Sequence, residues 1–242
     1  SERPLRPRER TVVLAWRGAL RSRVSGDHAG AMRDFAASLA CNADLGAIRA
    51  MGVPFRCLVE LILRDGMADE KQLLHGAIER LCDGRSHAAA CALRAAGHRF
   101  GLWALPRSAE QARLWLQRAV NRQCAGQAPG FEVLEVARLL WAANRHEVAC
   151  YLYERCAELN LPGAALALYE LHHGGLANTP AHYLDDEAAG YWLQRAVEAG
   201  SRQAKYNLAC LRMDGDEDLS ERSAMLAVRR LLVDALGNPQ IN

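Results

Sequence analysis

Six residues recur letter for letter within the chain: Trp115-Leu116-Gln117-Arg118-Ala119-Val120 returns as Trp192-Leu193-Gln194-Arg195-Ala196-Val197. Such identity inside one sequence of 242 residues points to duplication. Self-similarity at a fixed period is the mark of stacked repeats, in which each unit buries its apolar face against its neighbours. The copies start 77 positions apart, too far for one helical hairpin, and a weaker copy divides the interval. Setting Ala164, Leu168, Leu171 and Gly175 against Ala204, Leu208, Leu211 and Gly215 places Leu152, Tyr153 and Cys156 opposite Trp192, Leu193 and Ala196. Units of 37 and 40 residues result, each the length of two helices and two turns. A further first helix reads Ala89, Leu93 and Ala96, ahead of Gly101 and Pro106.

Residue types agree with helices throughout. Ala, Leu, Arg and Glu are abundant and are good helix formers. Thr occurs only at 11 and 179 and Ile is scarce, so the β-branched signal for strands is weak. The periodic segments predict helices over 11–23, 28–41, 44–51, 54–64, 68–82, 86–97, 107–121, 131–143, 146–159, 163–173, 185–199, 202–213 and 221–236. Breaks fall at Ser25-Gly26-Asp27, Gly52-Val53-Pro54 and Asp65-Gly66. Gly97, Gly175 and Gly215 are expected to stop helices, with Pro106 and Pro180 following the stops. Ser220 is placed to cap the last helix. Trp115 and Trp192 are expected to be mostly buried in the seams between helices, where Ala196 and Ala204 allow close approach.

These residues resemble the Sel1-like repeat family, a relative of the tetratricopeptide repeat. The strongest local match runs from Ala188 to Gly215 and carries Trp192, Leu193, Ala196, Gly200, Ala204, Leu208, Leu211 and Gly215. Pro106, Ala112, Trp115, Leu116 and Ala119 match the second half of the pattern. The family's Gly after the helix-A Leu is here Ala209, Tyr169 and Arg138, and its Tyr is Arg212, His172 and Trp141. Loops are lengthened at 121–130 and 176–186. The resemblance covers roughly residues 86–220.

The resemblance implies an all-α fold, an α-solenoid of stacked helix-turn-helix repeats. Residues 1–10 are then a flexible basic lead-in and 11–85 a divergent helical region. Residues 86–220 are the repeats, and 221–242 a capping helix and tail. It also implies a non-enzymatic adaptor or scaffold that receives a protein or peptide partner in a concave groove. Relatives of this kind act in membrane-protein quality control, in bacterial envelope assembly and signalling, and as immunity proteins against secreted effectors. Carried over position by position, the groove is lined by His98, Arg99, Glu132, Glu135, Glu170, His173, Tyr206, Met213 and Asp214. Its mixed charge, acidic in the middle, fits a segment with basic and apolar residues. The chain's own first helices or a second copy of the chain are the competing occupants.

Other chemistries have thinner support. No strand–turn–helix elbow, Gly-rich phosphate loop or H-E-x-x-H is present, so no catalytic residue or cofactor is expected. Eight cysteines (Cys41, Cys57, Cys82, Cys91, Cys124, Cys150, Cys156 and Cys210) read as small helix residues, mostly buried and reduced. His87 with Cys91, and His146 with Cys150, share helix faces at i, i+4, which leaves a Cys/His metal-binding or redox protein as the alternative. His172-His173 before Gly174-Gly175 suits a helix C-terminus. Seven arginines within the first 23 residues surround a helix with Val12, Val13, Leu14, Trp16 and Leu20. They read as a mobile arm and a basic solvent face, without the aromatic interleaving of a nucleic-acid surface. No 18-residue apolar run exists for a membrane span. The expected compartment is the cytoplasm, or the periplasm if an upstream signal was removed.

Overall fold

A computed structural model describes residues 6–42, 53–64, 66, 68–83, 88–102, 105–125, 132–161, 163–214 and 222–236. All regular structure among these residues is helical. The α-helices are α1 (Pro7–Leu20), α2 (His28–Asn42), α3 (Val53–Leu63), α4 (Ala68–Asp83), α5 (Ala88–Phe100) and α6 (Ala109–Ala125). Then come α7 (Glu132–Ala142), α8 (His146–Glu158), α9 (Ala164–His172), α10 (Asp186–Glu198), α11 (Arg202–Asp214) and α12 (Arg222–Leu236). A π turn, Arg21–Ser25, extends α1, and a 3-10 turn, Ala181–Tyr183, lies in the lengthened loop before α10. The predicted helix over 44–51, Ser220 and Gly215 lie outside the described residues.

The first helix starts earlier than expected. Pro7 occupies its first position and the Arg6 N–H donates to Glu9 Oε2 at 2.8 Å, so residues 7–10 are helix rather than lead-in. Proline is pre-organised for that position and has no N–H to leave unpaired.

Helix ends share one device. Gly101, Asn144, Asn160, Gly174 and Gly200 adopt positive φ one or two residues past the ends of α5, α7, α8, α9 and α10 respectively. In each case the following N–H returns to a carbonyl five residues back: Leu102 to Gly97, Arg145 to Leu140, Leu161 to Cys156, Gly175 to Glu170 and Ser201 to Ala196. These are Schellman closures, which satisfy orphan carbonyls through one left-handed residue. They correct two expected stops. Gly97 is buried inside α5 and supplies the accepting carbonyl, while Gly101 turns the chain. Gly174, not Gly175, is the left-handed residue. Starts are capped in a matching way: Ser108 Oγ accepts from Gln111 N, Asp185 Oδ1 from Ala188 N, and Ser201 Oγ from Ala204 N.

The chain divides into two compact units, residues 1–152 and 153–242. In the first, α1 packs on α2 and α3, α2 also on α3 and α4, α4 on α5, and α5 on α6 and α7. Helix α3 also meets α7, a contact beyond sequential neighbours. Polar groups fix the α1–α2 pair. The buried Asp34 carboxylate accepts from Arg17 Nε at 2.9 Å and lies 3.2 Å from Arg21 Nη1. Ser38 Oγ donates to the Thr11 carbonyl at 2.7 Å, and Thr11 Oγ1 donates back to the Ser38 carbonyl at 3.4 Å.

In the second unit α9 packs on α10, α10 on α11, and α11 on α12. Its core joins Tyr169 of α9 with Ala189, Leu193 and Ala196 of α10 and Ala204 of α11. Ala165, Leu166, Trp192, Val197 and Leu208 close over it. Alanines at these positions let helix axes approach to about 8–10 Å. The two copies of the hexapeptide therefore sit on the second helices of two hairpins, α5–α6 and α9–α10. Their tryptophans differ: Trp115 is 7% exposed, whereas Trp192 is only half-buried, against expectation. No described helix is long and apolar enough to cross a membrane.

Candidate partner-binding face and thiol cluster

Four of the nine expected groove residues belong to the first unit and five to the second. In the first unit the expectation fails at His98. Its side chain is 6% exposed, and its Nδ1 meets the Pro106 carbonyl at 3.1 Å. The His98 carbonyl accepts from Ser108 N at 2.9 Å. His98 thus ties the end of α5 to the turn that starts α6. The sequence pattern missed this because α5 runs three residues past Gly97, which rotates His98 into the interior. Arg99 is exposed, its guanidinium 5.6 Å from the Tyr151 ring and 5.8 Å from the Phe100 ring. Those two rings meet edge to face at 5.8 Å. Glu135 is half-buried, and the Glu132 side chain lies outside the described residues.

In the second unit several expected residues do come together. His173 follows the last residue of α9 and stacks on Tyr169, with ring centroids 5.2 Å apart and planes 13° apart. Its neighbour His172 directs Nδ1 to the Tyr183 carbonyl at 2.9 Å, anchoring the long loop. On α11, Tyr206 and Met213 are 49% and 44% exposed and lie seven residues apart on one face. Between them lies Cys210, whose hydrogen bond to the Tyr206 phenol raises that phenol's pKa and disfavours its ionisation. Burial raises the pKa of Tyr169, and the charges of Glu170 and Cys210 act in the same direction. The influence of Cys210 on both tyrosines places it beside them. Tyr206, Cys210 and Met213 thus share one side of α11, while Tyr169 is buried in the core and carries the exposed His173 ring at the end of α9. Glu170 is half-buried, and the Asp214 side chain lies outside the described residues. Tyr169 was absent from the expected set because it stands where the repeat pattern has its Gly, and Cys210 was not singled out between Leu208 and Leu211.

No disulfide joins any of the eight cysteines. Cys57, Cys82, Cys91 and Cys156 are buried, Cys41, Cys150 and Cys210 intermediate, and Cys124 exposed. Half rather than most are therefore buried. Cys91 is hydrogen-bonded to Cys82 across α4 and α5, and this lowers its pKa against the opposing effect of burial. The positive charges of Arg122, Arg118 and Arg94 act in the same direction. Cys156 has no such neighbours, and burial alone pushes its thiol up to about 12. Nearby, Arg94 donates to Glu79 at 2.8 Å and lies over the Trp115 ring. Burial holds the His75 imidazole below its ordinary pKa.

Of the two Cys/His pairs, His87 lies outside the described residues. The His146 ring packs on Trp141 at 4.4 Å. Among the described residues no three His, Cys, Asp or Glu side chains converge as a metal site.

No protein-family model, no curated protein and no solved structure matches the chain.

Proposed function

We propose that the chain is a non-enzymatic adaptor of the Sel1-like kind, a solenoid of helical hairpins that receives a polypeptide partner on the α9–α11 face. The observation that carries this reading is that Tyr206 and Met213 are held exposed on one side of a folded helix, with the exposed His173 ring stacked on Tyr169 at the end of α9. Exposed Tyr and Met give large, adaptable contact area, and such residues dominate recognition surfaces. Recurrent hairpins with shared Schellman ends and the duplicated hexapeptide support the repeat reading. Glu170 beside the face supports a partner segment with basic and apolar side chains.

A photo-crosslinking residue in place of Tyr206 tests this. In cells it should capture a polypeptide partner, whereas the same residue in place of Gln194 on α10 should not. Tyr206→Ala with Met213→Ala should weaken the captured complex by on the order of tenfold with melting unchanged. Capture of the chain by itself alone would assign the face to a homo-oligomer, and equal capture from both positions would remove the assignment.

One observation favours a second reading, a thiol-based redox protein: the hydrogen-bonded Cys82–Cys91 pair among three arginines. A small disulfide such as oxidised glutathione would take both thiol hydrogens and their electrons, leaving a Cys82–Cys91 disulfide and two reduced thiols. Mass spectrometry after equilibration reads that linkage directly. If all eight thiols remain alkylatable after unfolding, this reading falls. In the same native sample, labelling should reach exposed Cys124 first and Cys156 last, in line with their exposure and with the Cys156 pKa of about 12.

A further inference from the structure

The outer face of α1 takes no part in the adaptor reading. Thr11, Leu14, Ala15, Gly18 and Ala19 turn inward. Val12, Val13, Trp16, Leu20 and Val24 remain 36%, 49%, 41%, 57% and 80% exposed. On a helix that turns about 100° per residue these side chains form one stripe, because each step of four residues advances only about 40°. Carried on in α-helical geometry from Val12 to Val24, the drift would reach about 120°. The π turn Arg21–Ser25 holds more residues per turn, rotates less per residue, and draws Val24 back toward the line of Val12, Trp16 and Leu20.

Arginines border the stripe. Arg8 lies about 40° to one side of Val12, and Arg17 and Arg10 lie about 40–60° beyond Val13 on the other. Arg17 is engaged by Asp34, Arg21 by Asp34 and Asp27, and Arg23 by Glu60. Arg8 and Arg10 are exposed and have no ion-pair partner among the described residues. The one acid in the stripe, Glu9, is occupied in starting the helix through the Arg6 N–H.

We propose that this face lies on an anionic lipid surface. Val12, Val13, Leu20 and Val24 enter the boundary between headgroups and acyl chains, Trp16 sits at interfacial depth, and Arg8 and Arg10 meet lipid phosphates. Charge selects this occupant. In an antiparallel pairing with a second copy, Arg8 and Arg10 would face Arg21 and Arg23, which already engage the carboxylates beside them, and would gain no counter-charge. The outward side of a helix offers no groove for a peptide, whereas a bilayer supplies negative charge and an apolar layer together.

The test is flotation of the full chain with vesicles of phosphatidylcholine alone or mixed with phosphatidylglycerol. Binding should require phosphatidylglycerol and weaken as salt rises. Leu20→Glu with Val24→Glu should lower the bound fraction at least tenfold, and Arg8→Glu with Arg10→Glu should do the same. Quenching of wild-type tryptophan fluorescence by lipids brominated in the tail, lost in Trp16→Phe, reports insertion without relying on how the charge variants fold. Absence of binding to phosphatidylglycerol vesicles overturns the proposal, as does binding that neither double variant changes. Vesicles left unbound overturn it in favour of a second copy if Leu20→Glu/Val24→Glu abolishes a dimer in sedimentation velocity. They overturn it in favour of a protein partner if a crosslinker at Leu20 captures an acidic polypeptide.

Discussion

Trp115→Ala should lower stability by about 3–5 kcal/mol, and Trp192→Ala by clearly less, roughly 1–2 kcal/mol. The two tryptophans open identical hexapeptides, so the sequence alone makes the substitutions equivalent. Their surroundings differ. Trp115 is 7% exposed and lies between two guanidinium groups, Arg94 at 4.2 Å and Arg118 at 4.6 Å from the ring centroid. Arg94 Nε and Nη1 are buried without a hydrogen-bond partner, so the ring face is their compensation. Truncation removes a buried aromatic and leaves that guanidinium without its ring. Trp192 packs from the edge of the α9–α11 core and keeps part of its ring in solvent, with Arg195 at 5.9 Å. Chemical denaturation read by circular dichroism measures both costs. For a chain of this length, 3–5 kcal/mol corresponds to a melting shift on the order of 10 °C. A Trp115→Ala protein that melts within a degree or two of wild type would remove the seam assignment, and equal costs would remove the distinction between the copies.

Helices were the most legible part of the sequence, because each carries its own period and punctuation. The predicted 28–41 is observed as His28–Asn42, 146–159 as His146–Glu158, and 202–213 as Arg202–Asp214. Stops were less legible. A glycine in the sequence does not reveal whether it is the left-handed residue, the accepting carbonyl three places before the cap, or the residue after the turn. Gly97 and Gly175 were displaced for this reason, and Asn144 and Asn160 perform the same role without being glycine. Side-chain direction was the least legible. A displacement of the helix end by three residues is nearly a full turn of backbone that sequence spacing had assigned to a loop, and His98 became interior as a result. Tyr206 and Met213 were legible as an exposed pair because a seven-residue spacing returns to one helix face regardless of where the ends fall. The Cys82–Cys91 contact was not legible, since two thiols on different helices meet only through tertiary packing.

Phe35→Ala should cost about 3–5 kcal/mol, and its effect should be coupled to Gly18 on the facing helix. Phe35 is fully buried in α2, and Gly18 is buried in α1. A Cβ added at Gly18 would meet Phe35 Cε2 at 3.1 Å, and the Ala31 carbonyl oxygen and Phe35 Cδ2 at 3.2 Å each. Gly→Ala inside a helix ordinarily stabilises by about 1 kcal/mol. Here the new methyl presses on a ring held on its other sides and on backbone, so Gly18→Ala should destabilise instead. Gly18→Val should cost more, about 1–3 kcal/mol or above, because its branches have no space to enter. In a Phe35→Leu background the ring atoms that the methyl would meet are gone, and only the carbonyl contact remains. Gly18→Ala should then be close to neutral, giving a coupling of about 0.5–3 kcal/mol in a double-mutant cycle by urea denaturation. Additive effects in that cycle would mean that α1 and α2 do not pack through the Gly18–Phe35 contact. The same contact places the exposed stripe of α1, because the helix can present Val12, Trp16 and Leu20 outward only while Gly18 faces the Phe35 ring.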